Sequence, residues 1–258
     1  RIEVKDCQPI FSKTEITFPV LSLNKDSKGN LWIGSWEKGL FLKSPDGKFH
    51  QFTDEHGLPQ VSGKYPMTVT SIFEDKVGRI WIGGRAISNG ICRLVENPKP
   101  NEKIVENCYT EKDGLSSDWI TSLFQSSDGT IWIGTVTKLT QLTNFDEKGK
   151  PIFRILDSEN GFNDSAVNDV LEDRDGNIWM AATNGIQKLS KQGFTQYGVI
   201  DGLSSTTNIS SILQTTNSEL IVTDHPNERN ISVFRNGKFT AIKPNYPNEI
   251  DYWGWGGK

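Results

Sequence analysis

The sequence predicts an all-β fold, a β-propeller of four-stranded antiparallel blades, with about five blades present as part of a larger ring. Two observations carry this. A Gly-turn-Trp segment recurs as Asp26-Ser27-Lys28-Gly29-Asn30-Leu31-Trp32-Ile33-Gly34, Asp75-Lys76-Val77-Gly78-Arg79-Ile80-Trp81-Ile82-Gly83, Ser126-Ser127-Asp128-Gly129-Thr130-Ile131-Trp132-Ile133-Gly134 and Asp173-Arg174-Asp175-Gly176-Asn177-Ile178-Trp179-Met180, with a degraded fifth copy ending Glu219-Leu220-Ile221-Val222. The equivalent positions 32, 81, 132, 179 and 221 are separated by 49, 51, 47 and 42 residues, the spacing of propeller blades. The blades are expected near 18–55, 67–112, 118–159, 165–200 and 207–244, with end fragments at 1–17 and 245–258.

Each element of a blade has a local reason. In the fourth repeat, Val167-Asn168-Asp169-Val170-Leu171-Glu172 is a short β-branched strand, and Asp173-Arg174-Asp175-Gly176 has the Asp-first, Gly-fourth chemistry of a type I turn. A second strand runs to Ala182, and Thr183-Asn184-Gly185 is a tight connection whose glycine tolerates positive φ. Ile186-Gln187-Lys188-Leu189 alternates as a third strand, and Phe194-Thr195-Gln196-Tyr197 is the fourth after another turn. One such sheet cannot bury both faces, whereas blades set side by side can. Trp32, Trp81, Trp132 and Trp179 are therefore expected as structural packing between blades. The innermost strands align Ser22, Ser71, Ser122, Asp169 and Ser211 near the axis, where small residues fit. Asp169 breaks that row and is expected to point at channel water or an ion.

Charged residues make up 23% and apolar ones 35% of 258, a soluble globular composition. The net charge is −4 with no basic run, which argues against a nucleic-acid partner. No apolar stretch reaches the roughly 18–20 residues of a membrane-spanning helix. A start at Arg1, without Met or signal peptide, reads as a mature fragment or an excised domain. The three cysteines are too few for a disulfide framework, and no Cys-x-x-Cys suggests zinc. The register of the first repeat sets Cys108 opposite Arg93, which favours three free thiols; the insertion Asn97-Pro98-Lys99-Pro100-Asn101 leaves a Cys92–Cys108 bridge as the alternative.

A second element links the repeats: Phe52-Thr53-Asp54-Glu55-His56-Gly57-Leu58-Pro59, Tyr109-Thr110-Glu111-Lys112-Asp113-Gly114-Leu115-Ser116-Ser117, Asn160-Gly161-Phe162-Asn163-Asp164-Ser165 and Tyr197-Gly198-Val199-Ile200-Asp201-Gly202-Leu203-Ser204-Ser205. Joined to the Gly-turn-Trp segment, it resembles the two-component regulator propeller repeats over about residues 18–239. The resemblance implies a periplasmic or other extracytoplasmic sensor region of a bacterial hybrid histidine kinase, often one that responds to oligosaccharides. It implies adjacent domains of a larger chain, a homodimer contact, and no catalysis by this segment. The Asp-box of sialidases fails by one residue, since Asp26 to Gly29 is three steps rather than two, and an EF-hand reading of Asp173 would need an acid at Asn184.

The binding face of a propeller is expected where strand two–three loops meet the loops between blades. Residues there that break the repeat are informative, because packing alone does not demand them. Trp36 and Trp119 offer flat faces to sugar C–H groups, with Arg85, Asp118, Asp224, His225 and Arg229 nearby to hold hydroxyls. The bland reading is that each Trp caps a neighbouring blade. Tyr252, Trp253 and Trp255 read as blade structure, or else as a ligand- or partner-facing segment. The expected ligand is an oligosaccharide or another small polar molecule, with no cofactor and no structural metal. Two alternatives stay open: a propeller lyase of the streptogramin lyase type using His225 and Glu228, and a structural or protein-interaction ring.

Overall fold

The computed structural model describes residues 2–5, 8–11, 16–61, 63–85, 90–163, 165–203, 208–224 and 231–242. The first hairpin is β1 (Ile2–Lys5) with β2 (Gln8–Phe11). Blade 1 is β3 (Val20–Lys25), β4 (Leu31–Ser35), β5 (Leu40–Lys43) and β6 (Phe49–Phe52); a small hairpin, β7 (Gln60–Val61) and β8 (Tyr65–Pro66), follows it. Blade 2 is β9 (Val69–Glu74), β10 (Ile80–Gly84), β11 (Ile91–Leu94) and β12 (Val105–Tyr109). Blade 3 is β13 (Ile120–Gln125), β14 (Ile131–Thr135), β15 (Leu139–Phe145) and β16 (Pro151–Leu156). Blade 4 is β17 (Val167–Glu172), β18 (Ile178–Ala182), β19 (Gly185–Ser190) and β20 (Gly193–Tyr197). Blade 5 is β21 (Ile209–Gln214), β22 (Leu220–Asp224), β23 (Ile231–Arg235) and β24 (Lys238–Ile242). Every blade is an antiparallel meander. The innermost strands β3, β9, β13, β17 and β21 lie against one another in that order, which makes an arc of adjacent blades.

The turn and the tryptophan of each of the first four repeats are joined by a hydrogen bond. The indole Nε1–H of Trp32 donates to Asp26 Oδ2 at 2.8 Å, that of Trp81 to Asp75 Oδ2 at 2.8 Å, and that of Trp179 to Asp173 Oδ2 at 2.6 Å. In blade 3 the Ser126 hydroxyl accepts from Trp132 at 2.9 Å. The second carboxylate oxygen closes the turn, accepting the amides of Asn30, Arg79 and Asn177. Burial pushes the Asp75 carboxyl up. The Trp81 indole and the Arg79 amide and guanidinium outweigh that and hold it below the usual range. Asp173 is held down in the same way by Trp179 and Asn177. The aromatic that opens the linking element then packs on the same ring: Phe52 on Trp32, Tyr109 on Trp81 and Tyr197 on Trp179, with centroids 6.4, 6.3 and 5.5 Å apart.

Held in this way, each Trp covers the next blade. Trp32 packs with Ile72, Ile80 and Ile82; Trp81 with Ile120, Leu123 and Ile133; Trp132 with Val167, Val170 and Met180; and Trp179 with Ile209, Ile212 and Val222. Glycine two residues further along lets the blades approach. A Cβ on Gly34 would lie 2.5 Å from the Val69 carbonyl oxygen, and one on Gly83 would lie 2.6 Å from Ile120 Cγ2. Toward the axis each innermost strand bulges at its second residue, where the pairing steps from Val20 to Ser22, Val69 to Ser71, Ile120 to Ser122, Val167 to Asp169 and Ile209 to Ser211. Side chains at or next to these bulges reach the next blade: Ser22 Oγ to the Val69 carbonyl, Thr70 Oγ1 to Ile120, Thr121 Oγ1 to Val167 and Asn168 Nδ2 to Ile209. At the opposite end, the amide and hydroxyl of Ser27 donate to the two carboxylate oxygens of Glu74, and Ser127 does the same to Glu172.

The cysteines depart from the sequence expectation. Cys92 and Cys108 are directly opposite in β11 and β12 and are joined as a disulfide. Counted from Ile91 opposite Tyr109, the equivalents of Leu40 and Phe52, blade 2 pairs as blade 1 does, and Cys92 and Cys108 take the places of Phe41 and Gln51; the pairing shifts only beyond them, between Arg93 and Leu94, so that Arg93 faces Asn107 and Leu94 faces Val105. That bulge accommodates the longer connection of blade 2. Cys7 lies outside the described residues.

Replacing Trp81 by Ala should lower stability by about 3–5 kcal/mol. Asp75→Ala, which leaves the buried indole N–H without its acceptor, should cost about 1–3 kcal/mol. Urea midpoints of the two variants check both values. Reduction of the disulfide, which closes a span of 16 residues, should cost about 3 kcal/mol, read as a lower melting midpoint in dithiothreitol that is absent from a Cys92→Ser/Cys108→Ser variant.

Candidate functional site

The loops that follow the second strand of blades 1 to 4 are strapped to the segment that precedes the first. The amide of Trp36 donates to the Pro19 carbonyl, Arg85 to Thr68, Val136 to Trp119 and Thr183 to Ala166, at 3.0–3.3 Å. Trp36 and Arg85 thus occupy one repeat position in successive blades, and Trp119 occupies the matching pre-strand position of blade 3. This equivalence brings three of the sequence-predicted residues together. The Arg85 guanidinium carbon lies 4.8 Å from the Trp36 ring centroid and 4.3 Å from that of Trp119, a cation held between two indoles. All three are half-buried, and burial pulls the Arg85 guanidinium below the usual arginine value. The stack spans blades 1, 2 and 3 on one face.

Asp118, next to Trp119, is tied to the turn behind it. Its carboxylate accepts the Glu111 amide at 2.6 Å, its own amide donates to Glu111 Oε1 at 3.1 Å, and its carbonyl accepts the Gly90 amide at 3.0 Å. Glu111 and Thr68, whose hydroxyl accepts the Glu37 amide at 3.1 Å, support the site and escaped the sequence reading. Aligning the repeats by position would have found Thr68, which is the counterpart of Pro19 and Trp119. Asp224 ends β22, but its side chain lies outside the described residues, as do His225, Glu228, Arg229, Tyr252, Trp253 and Trp255. His225 is the fifth-repeat occupant of the Trp36 and Arg85 position. Asn163 is anchored in blade 4: its amide donates to Gln187 Oε1 and its Nδ2 to Gln196 Oε1. His56 bridges Thr53 to the Pro100 carbonyl. Its Nδ1 accepts the Thr53 amide, so Nε2 carries the proton. Among the described residues, no group of three His, Cys, Asp or Glu side chains is placed to hold a metal.

Asp169 does not serve the channel. Its Oδ2 accepts the amide of Ile212, in the innermost strand of blade 5, at 3.0 Å, and its Oδ1 accepts the Val170 amide at 2.9 Å. The carboxylate is turned sideways into the junction between blades because the bulge in β17 leaves it facing the amides of the next strand. Burial raises its pKa to about 6, against the pull of those two amides.

Residues 19–37, 66–86, 114–137 and 161–184 match the two component regulator propeller repeat. Four of its blades thus carry two-component regulator propeller repeats. The matched segments hold the four Trp-bearing turns and stop short of the degraded fifth copy. A histidine kinase P4 from Formosa agariphila is 26% identical over 203 residues, which is 76% of this chain and 14% of that protein. The extracellular domain of the hybrid two component system BT3049 from B. thetaiotaomicron superposes with a TM-score of 0.73 at 21% identity, over 93% of this chain and 31% of that one. The virginiamycin B lyase of Staphylococcus aureus superposes at 0.67 and 16% identity, over 91% of this chain and 73% of that one. Both structural likenesses establish the propeller fold. This two-component regulator propeller spans a minor part of the length of its signalling relatives. Among the described residues no helix is long and apolar enough to cross a membrane.

The Asp169 carboxyl titrates higher in the folded protein than its ordinary value of 3.8. The folded state therefore binds this proton more tightly than the unfolded chain. Stability from this group is greatest below about pH 4 and is lost as pH rises through about 6. Relative to Asp169→Asn, the wild-type protein should gain roughly 1–3 kcal/mol on going from pH 7.5 to pH 4.5. Denaturant midpoints of the two proteins at each pH provide the check.

Proposed function

We propose that this propeller is a non-catalytic, extracytoplasmic sensory unit of a two-component signalling protein, and that it binds a small polar ligand such as an oligosaccharide over the Trp36–Arg85–Trp119 stack. The observation that carries the reading is the stack itself. Three residues that break the repeat converge from three blades on the loop face, where packing within a blade asks for none of them. Indole faces suit sugar C–H groups, and the charged and polar neighbours of the stack suit hydroxyls. The disulfide supports an oxidising compartment, because such bonds persist outside the cytosol. The likeness to an extracellular domain of a hybrid two component system points the same way. Occupation of the stack would change how three blades sit together. That change would pass to an adjacent domain or to a second copy in a homodimer, which fits a ligand that favours one of two arrangements.

A panel of oligosaccharides, tested by thermal shift with and without magnesium, tests the proposal. A binding sugar raises the midpoint, and Trp36→Ala or Trp119→Ala, each shown to be folded, should abolish the rise. No shift from any sugar overturns the ligand reading in favour of an interaction ring. Magnesium-dependent turnover of a ligand that is lost in His225→Ala would overturn the non-catalytic reading in favour of a lyase.

A further inference from the structure

The third strand of each Trp-bearing blade sets one side chain directly opposite the packing Trp. It is Leu42 for Trp32, Arg93 for Trp81, Gln141 for Trp132 and Lys188 for Trp179. In blade 2 the Arg93 guanidinium carbon lies 5.8 Å from the Trp81 ring centroid and 5.7 Å from that of Phe145 in the next blade. In blade 4 the Lys188 ammonium lies 5.1 Å from the Trp179 centroid. Two blades therefore set a cation of their own beside the packing ring, and blade 3 sets a long polar side chain there. Leu42 is short and apolar. Among the described residues no cation is placed over Trp32.

A recess takes the place of the missing side chain. A cavity of about 240 Å³ opens between blades 1 and 2, and Trp32, Leu42, His50 and Ile80 contribute to its lining. Trp32, Leu42 and His50 are successive cross-strand partners, so all three present to the same face of blade 1. The wall of the recess comes from the connection between β11 and β12, residues 95–104. The matching connections are 44–48, 146–150, 191–192 and 236–237, all shorter. This long connection is anchored on blade 1. Lys28 Nζ donates to Asn97 Oδ1 at 2.7 Å, His56 Nε2 to the Pro100 carbonyl at 2.9 Å, and the Ile104 amide to the His56 carbonyl at 2.9 Å.

The charged groups of the lining are unevenly engaged. Lys28 is held by Asn97, and Arg79 is turned to Asp75 and to Trp81 of its own blade. The Asp26 carboxylate is taken by its turn and by the Trp32 indole, and that of Glu74 by Ser27. Glu96 is exposed, and among the described residues neither its carboxylate nor the His50 ring has a hydrogen bond or ion pair. An acceptor with negative charge and a ring nitrogen are thus left at a recess beside an indole.

We propose that this recess binds a small organic cation, an ammonium or guanidinium group on a short alkyl stem. The charge takes beside Trp32 the place that Arg93 and Lys188 fill from within in blades 2 and 4. The stem lies against Leu42 and Ile80, and Glu96 supplies the counter-charge. The volume suits such a molecule, since it equals that of roughly eight waters and falls below the usual range for larger ligands. The recess lies at the blade 1–2 junction beside the 95–104 connection and uses none of the Trp36–Arg85–Trp119 stack, so the proposal stands apart from the loop-face ligand.

Titration calorimetry of the complete polypeptide with n-butylguanidinium and with n-butylurea, its uncharged isostere, is the test. The cation should bind one to one and about ten-fold more tightly than the urea. Equal affinities, or no binding of the cation, overturn the proposal. Leu42→Arg supplies the cation from within, as Arg93 does in blade 2, and should abolish binding. A folded Leu42→Arg protein that binds the cation as the wild type does overturns the assignment to this recess. Glu96→Gln is a surface change that keeps the test open should Leu42→Arg fail to fold. It should weaken binding of the cation about three-fold and leave the melting midpoint unchanged. Unchanged affinity in Glu96→Gln overturns the proposed counter-charge and the site with it.

Discussion

The bond from the indole N–H to the turn acceptor is the interaction on which this structure depends. One carboxylate, at Asp26, Asp75 or Asp173, accepts from the turn amides and from a tryptophan six residues along. The turn and the ring rotamer are thus fixed together, and a local choice of turn residue becomes a statement about where the next blade can sit. Leaving a buried indole N–H unpaired is costly, so the ring is driven to one orientation. Ser126 does the same work with a hydroxyl, itself oriented by Asp128. Blade 5 has Thr215 and Ile221 in these places, and Thr215 still closes its turn through Glu219 but has no ring to hold.

The fold was legible because it rests on short-range chemistry repeated several times. Turn glycines, alternating strands and the Trp period all follow from local rules, and the arrangement of blades follows from the need to bury a second face. What escaped were the interactions that cross from one blade to another. The pairing of Ser27 with Glu74 and of Ser127 with Glu172 links residues in different repeats, and neither partner looks special within its own repeat. Asp169 was recognised as breaking a row of serines, yet the direction of its side chain depends on a bulge that no composition rule marks. The cysteine pair was missed for a different reason: Ile91 and Tyr109 pair as Leu40 and Phe52 do, but the connection between β11 and β12 is longer than that between β5 and β6, and its length does not say where pairing begins.

The loop face obeys different rules from the interior. Trp32 and its equivalents are fixed by a same-blade acceptor and a neighbouring apolar surface. Trp36 and Trp119 are instead organised around Arg85, with their backbones strapped by the Trp36-to-Pro19 and Val136-to-Trp119 hydrogen bonds. Sequence position could nominate these three residues as departures from the repeat. Their convergence needed the geometry, because they lie in three separate repeats and meet only when the blades stand side by side. A stack of this kind is sensitive to blade spacing, since cation–π attraction weakens as a ring moves away from the guanidinium.

The bond between Cys92 and Cys108 also has a consequence for how blade 2 is specified. A slip of β12 against β11 by one residue would put the opposite set of side chains toward blade 1. Only the observed pairing brings the two sulfurs together; the slipped one would oppose Cys108 to Arg93. Oxidation therefore proofreads the hairpin. It seals the strand order that buries Cys92 and Leu94 beneath Trp32 and offers the slipped order no bond at all. The neighbouring blade is thereby presented with one surface rather than a choice of two.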